Sequence, residues 1–258
     1  MDANLQEFKD RFIKINSQDT ELHLNDGRVW YKSHRSGATG IGKTFEDLLG
    51  KVEDNKQLPD FKGIELKAHD EADNGLITLF TKSPNIPKGV NSLLRNQYGY
   101  ADSSDGIKVL HTTIPSDKME FNQKSNHYFQ VVNDRDASSV KINVFNDDKS
   151  LITDGPNAQW SYSALSKSIS NKLHTLAIIE TLVHKEGRTT YYSYDKVYIT
   201  HLTLETILSA LNAGDLKIDL RLGAYKSGAK KGKTHDHGTG FRITLKDLKK
   251  YVHFDRLI

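Results

Sequence analysis

Pro59-Asp60-Phe61-Lys62-Gly63-Ile64-Glu65-Leu66-Lys67 is the stretch around which the rest of the chain can be ordered. From Ile64 onward apolar and charged residues alternate with the period of two of a β-strand. Glu65 and Lys67 then project from one face, and Ile64 and Leu66 from the other, into a core. Asp60 stands just before that strand, and a turn through Phe61, Lys62 and Gly63 can fold its carboxylate back beside Glu65.

Upstream, Leu5, Phe8 and Phe12 have helical spacing, and residues 44–49 read as a short helix ended by Gly50. Downstream, residues 76–80 form a second apolar run, expected to lie as a strand next to residues 63–68. Residues 90–98 read as a helix, 128–132 and 140–145 as a hairpin, and 161–173 as a helix. Residues 176–183 are an apolar run suited to a central strand buried on both faces. A Tyr-rich strand near Tyr191, a helix over 202–211 and a strand over 217–222 follow. The expected class is α/β, with helices packed on a mixed sheet.

The chain has 258 residues, 36% of them hydrophobic, enough for one large unit. No cysteine is present, which excludes disulfides, thiolate metal sites and cysteine nucleophiles. The charged N-terminal segment has no apolar signal core, and no run approaches a membrane span, so a cytoplasmic protein without membrane contact is expected. Net charge is +3, but residues 217–250 hold 10 Lys or Arg against 3 Asp or Glu, a local +7 that leaves −4 elsewhere. A lysine-rich stretch such as 226–233 is ordinarily a solvated loop; in a protein that handles DNA it becomes a phosphate-contacting arm.

Asp60 and Glu65 together make an oxygen-rich pocket suited to Mg²⁺, with the Lys67 ammonium beside it. Phosphodiester hydrolysis needs those parts: charge neutralisation at the phosphate, an oriented water and a nearby cation. A bare Glu-x-Lys on a strand is ordinarily only a solvated charged face. The preceding Pro59-Asp60 and the apolar alternation make this one more specific.

Pro59-Asp60…Glu65-x-Lys67 matches the PD-(D/E)xK nuclease motif. Together with Thr39-Gly-Ile-Gly-Lys-Thr-Phe-Glu-Asp-Leu-Leu-Gly50, Leu79-Phe-Thr-Lys-Ser-Pro84, Leu94-Arg-Asn-x-Tyr-Gly99 and the block from Arg221 through Tyr225 to Gly238, the chain resembles the MvaI/BcnI restriction endonucleases, which are related to the MutH mismatch-repair nickase. The likeness covers most of the chain and is weaker between about residues 103 and 200. It implies a restriction-endonuclease-like core with an additional DNA-recognition lobe. The catalytic lobe is expected mainly in 1–115 with parts of 160–215, and the recognition lobe mainly in 215–250 with parts of 120–160.

The resemblance adds Glu46, on the helix after the glycines, to the catalytic set of Asp60, Glu65 and Lys67. Read by itself, Glu46 is an acidic residue in a first helical turn, favoured there by the macrodipole. The family further implies a monomer that cuts double-stranded DNA one strand at a time, with CC(A/T)GG as the expected site and a cognate methyltransferase in the same host. A nickase acting at GATC is the nearest alternative.

Asp219 and Arg221 share one face of the 217–222 strand. Such a pair is ordinarily a surface ion pair; in a DNA enzyme Arg can bond guanine O6 and N7 and Asp can accept from cytosine N4. The resemblance places Asp219, Arg221 and Arg242 at base-contacting positions, with Tyr225, Lys233, His235 and His237 as further DNA contacts. His235 and His237 could share a cation, but without a third nearby nitrogen ligand DNA contact is preferred. Residues 37–44 also satisfy the phosphate-loop pattern G-x-x-x-x-G-K-[ST]. The polar residues before them argue against a nucleotide site, which needs a buried apolar strand at that point.

Overall fold

The computed structural model describes residues 2–51, 58–101, 106–236 and 238–258. From the N-terminus the chain runs α1 (Ala3–Ile15), β1 (Tyr31–Lys32), α2 (Gly40–Leu48), β2 (Ile64–Asp70), β3 (Leu76–Thr81), α3 (Val90–Tyr98), β4 (Tyr100–Ala101), β5 (Lys108–Pro115), β6 (Glu120–Asn122), β7 (His127–Asp134) and β8 (Ser139–Phe145). It continues through β9 (Gln159–Ser161), α4 (Tyr162–Lys172), β10 (Thr175–Glu186), β11 (Thr189–Thr200), α5 (Leu204–Asn212), β12 (Lys217–Ala224), β13 (Thr234–Asp236), β14 (Gly240–Thr244), α6 (Leu245–Leu248) and β15 (Asp255–Arg256). The α/β class expected from the sequence is what the chain adopts.

Two compact units are present. The first comprises Met1–Ile77, Ser170–Leu202 and Val252–Ile258. Its sheet has the order β1-β11-β10-β2, with β15 also on β11. The strand β10 pairs antiparallel with β11 and parallel with β2, so it is central. Leu176, Ala177, Ile178 and Ile179 are all buried, as an apolar run with no polar alternation requires. Phe8, Phe12, Phe45, Ile64, Leu66 and Tyr194 meet in one core cluster, which fixes α1 and α2 against β2 and β11. The ring of Phe45 lies 4.7 Å from that of Tyr194 and 6.0 Å from that of Phe12.

The second unit comprises Thr78–Ile169 and Thr203–Tyr251. It carries a sheet of order β3-β14-β12-β5-β4, with β13 on β12, and a four-stranded sheet β6-β7-β8-β9. Phe80 stacks on Phe241 at 4.4 Å, and buried Trp160 meets Phe241 edge-on and donates its indole N–H to Lys82 O at 2.8 Å. The helix α5 opens with a capping box in which Thr203 and Thr206 satisfy each other's backbone amides.

One expectation is corrected. The strands β2 and β3 are not neighbours: β2 pairs with β10, and β3 pairs with β14 in a different sheet. Their closeness in sequence suggested a hairpin, but a parallel partner reached more than a hundred residues later takes the edge of β2 instead. Residues 78–115 and 203–215 group with β12 and β14 in the second unit.

Candidate active site

The turn before β2 is built tightly. Phe61 N donates to Ile64 O at 2.9 Å and Ile64 N to Phe61 O at 2.7 Å, enclosing Lys62 and Gly63 with φ of 43° and 90°. Two successive positive φ values are what a type I′ turn requires, and glycine accepts the second without a Cβ clash. The turn folds Asp60 back along β2, where its Oδ2 accepts from Leu66 N at 3.0 Å. Ile64 and Leu66 enter the core while Glu65 and Lys67 occupy the alternate face. Asp60, Glu65 and Lys67 are thereby brought together.

Glu65 is only 1% exposed. Its Oε1 accepts from Lys67 Nζ at 2.5 Å and lies 3.3 Å from Lys172 Nζ, at the end of α4. Its Oε2 is buried with no hydrogen-bond partner among the described residues. Burial pushes the Glu65 carboxyl above the ordinary glutamate range, reinforced by Asp60, and the two lysines offset this only in part. Burial acts on Asp60 in the same sense. There the Lys51 hydrogen bond, the Lys67 charge and the Leu66 amide outweigh it and hold the carboxyl below its usual range.

Glu46 is delivered by α2, whose Phe45 anchors the helix in the core. Lys51 Nζ donates to Asp60 Oδ1 and stands 3.7 Å from Glu46 Oε2, so Glu46 and Asp60 flank one ammonium. Burial and the charge of Asp60 raise the Glu46 carboxyl, against the pull of Lys51, Lys67 and Lys43. Three carboxylates thus face three lysines, 51, 67 and 172. No three Asp, Glu or His side chains among the described residues converge closely enough to form a ready cation cage. The donor set nonetheless suits a hard divalent ion: hard carboxylate oxygens, one of them buried and unsatisfied. Lys51 and Lys172 were missed in the sequence. Lys172 reaches Glu65 only because the α4–β10 connection lays β10 beside β2, a long-range pairing that no local pattern announces.

The phosphate-loop pattern is not a phosphate loop here. The strand before it has two residues, and α2 begins at Gly40, so Lys43 N is already committed to Thr39 O at 3.1 Å. Thr44 Oγ1 accepts from His34 N, and Lys43 Nζ pairs with Asp47. Gly40 has a packing reason: a Cβ there would stand 2.4 Å from Arg35 O and 2.7 Å from Tyr192 Oη.

In the second unit, the register puts Thr113 and Asp219 side by side on adjacent β5 and β12, and Lys217 opposite Arg242 on β14. Asp219 Oδ1 accepts from Thr113 Oγ1 at 3.0 Å. Its Oδ2 accepts from Arg221 Nε at 2.8 Å, lies 2.7 Å from a second Arg221 nitrogen, and takes Arg242 at 3.3 Å. One buried carboxylate therefore orients two arginines, one about half exposed. Thr113 is the residue that sequence reasoning missed. Tyr225 closes the β12–β13 hairpin, with its N–H bonded to Lys233 O, its ring 4.7 Å from His235 and the Lys230 ammonium over its face. Buried Arg95 donates to Gly232 O at 2.8 Å and ties that lysine-bearing hairpin to α3. Asp236, between the two histidines, is taken by Asn91, Ser83 and Gly238 N. His237 lies outside the described residues.

A family model described as the MvaI/BcnI restriction endonuclease family matches residues 20–251. The chain belongs to the MvaI/BcnI restriction endonuclease family. It is similar to a solved structure titled restriction endonuclease MvaI–cognate DNA substrate complex, at 36% identity and TM-score 0.85, with 100% of each chain covered. It is also similar to restriction endonuclease MvaI in the absence of DNA, at 36% identity and TM-score 0.66, covering 100% of this chain and 99% of that one. No curated protein sequence aligns significantly with it. Family membership makes the chain a restriction endonuclease of the α/β kind, and no described helix is long and apolar enough to cross a membrane.

Proposed function

We propose that the protein is a Mg²⁺-dependent type II restriction endonuclease that cuts double-stranded DNA at CC(A/T)GG, acting as a monomer on one strand at a time. The observation that carries this reading is the turn that sets Asp60 beside a buried, half-unsatisfied Glu65 with Lys67 next to it. Asp60 and Glu65, with Glu46 alongside, would hold the ion. When bound, it supplies neutralisation of the scissile phosphate and acidification of a water. Lys67 orients the attacking water, whose oxygen bonds to phosphorus as the P–O3′ bond breaks, leaving 5′-phosphate and 3′-hydroxyl ends.

Recognition falls to Arg221 and Arg242, each aimed at a guanine and steadied by Asp219, which is also the candidate acceptor for cytosine N4. Tyr225, Lys233, His235 and His237 belong to the same DNA-contacting block. The site guess, the single-strand order and a cognate methyltransferase come from the family resemblance, and a cytoplasmic setting from the composition and the charged N-terminal segment. The likeness to a solved complex of MvaI with its DNA substrate supports double-stranded DNA as the partner. Sequencing the ends of a plasmid carrying both CC(A/T)GG and GATC sites, after digestion, tests the assignment. Ends at CC(A/T)GG are expected; ends at GATC alone would instead make the protein a nickase of the MutH kind.

A further inference from the structure

Lys51 is in an unusual place for a structural lysine. Asp60 Oδ2 is tied to the Leu66 amide, so Oδ1 is the oxygen left for an incoming cation, and the Lys51 ammonium takes it. The same ammonium is 3.7 Å from Glu46 Oε2 and acts electrostatically on Glu65. Glu65 points the complementary signal at this cluster: a side chain 1% exposed whose Oε2 has no hydrogen-bond partner among the described residues, although two lysines crowd Oε1. With lysines 51, 67 and 172 in place the three carboxylates are already neutralised. A divalent ion entering beside them would leave two excess positive charges in a partly buried space, where like charges repel strongly. One ammonium has to yield. Lys67 and Lys172 bond the Glu65 oxygen that is already satisfied, and among the described residues only Lys51 sits on Asp60 Oδ1, the oxygen not tied to the Leu66 amide.

We infer that Lys51 is an exchangeable counter-ion of the metal site: it holds Asp60 and Glu46 together in the metal-free protein and is displaced when the divalent ion binds. This inference rests on the assignment of Asp60 and Glu65 as metal ligands, and it adds a residue that competes with the metal. The exchange keeps the acid cluster preorganised without a metal. It also releases a positive side chain next to where the phosphate arrives.

The test is metal binding by the full-length protein without DNA, with Mn²⁺ as the probe and free Mn²⁺ counted by electron paramagnetic resonance at one neutral pH. Lys51→Met is expected to bind Mn²⁺ at least about fivefold more tightly than the wild type, because its competitor is gone. The same variant should melt at lower temperature than the wild type in EDTA, with the gap closing as Mn²⁺ is added. Lys51→Gln is measured beside it in case the methionine variant does not fold. Lys62→Met, which removes an ammonium next in the turn but paired with Glu7, should leave the affinity unchanged. Equal or weaker binding by Lys51→Met, or equal tightening by Lys62→Met, would overturn the exchange. Asp60→Asn separates the two levels: if it weakens binding while Lys51→Met changes nothing, the exchange alone fails. If Asp60→Asn binds like the wild type, the ligand assignment fails and the exchange falls with it.

Discussion

At the scale of single residues, the two candidate sites use the same device, a carboxylate whose oxygens are divided between different partners. Asp60 gives one oxygen to the Leu66 amide and one to Lys51; Asp219 gives one to Thr113 and one to two arginines. For Asp219 this sharpens the sequence expectation. The Asp-Arg pairing on one strand face is present, but the carboxylate is largely occupied in aiming Arg221 and Arg242. Arg221→Lys keeps the charge and loses the planar fork, so discrimination at one G·C pair should fall by about 1–3 kcal/mol while non-specific DNA binding stays nearly constant. Competition binding with single-base variants of the site reads this directly; an unchanged specificity profile would remove Arg221 from the recognition set. Asp219→Asn should lower specificity at two positions together, since both arginines lose their common anchor.

At the scale of elements, the legible part of the structure was whatever is encoded locally. The alternation of residues 64–67, the turn through Phe61, Lys62 and Gly63 and the uninterrupted apolar run in β10 each describe their own backbone, and each appears where expected. The local hairpin expected over 128–132 and 140–145 is present as β7 and β8, but pairings between distant segments were not legible. The mistaken neighbourhood of β2 and β3 and the missed residues Lys172 and Thr113 share one cause: their partners are set by strand registers between distant segments. Lys51 is different. It stands directly after the Gly50 that ends α2, so the helix stop and the acidic turn nine residues on were both visible, but nothing local says that Lys51 and Asp60 meet.

Gly40 is the element-scale test of how Glu46 is delivered. Gly40→Ala forces a Cβ into Arg35 O and Tyr192 Oη, so α2 must shift. A loss of about 1–3 kcal/mol in thermal unfolding is expected, with a larger fractional loss of cleavage than of stability. The β12–β13 hairpin makes a separate prediction. Replacing Lys230 or Lys231 by Gln should weaken DNA binding of all sequences alike and flatten the dependence of log affinity on log salt by roughly one per lysine, measured by titration at several salt concentrations.

At the scale of the whole molecule, the sequence holds one acidic Asp60-Glu65-Lys67 cluster, and one cluster can attack one strand at a time. Double-strand cleavage by a monomer therefore has to pass through a nicked form, with the nicked circle appearing before the linear product at every enzyme concentration. Family membership establishes the kind of enzyme; the cluster as the place where the chemistry occurs is the claim to be tested. The most direct measurement incubates supercoiled plasmid carrying CC(A/T)GG with wild-type protein and with folded Asp60→Ala protein, in Mg²⁺ and in EDTA. The wild type in Mg²⁺ should give nicked and then linear DNA, EDTA should stop it, and Asp60→Ala should lose about a thousandfold or more in rate. Equal cutting by the two proteins would contradict the assignment.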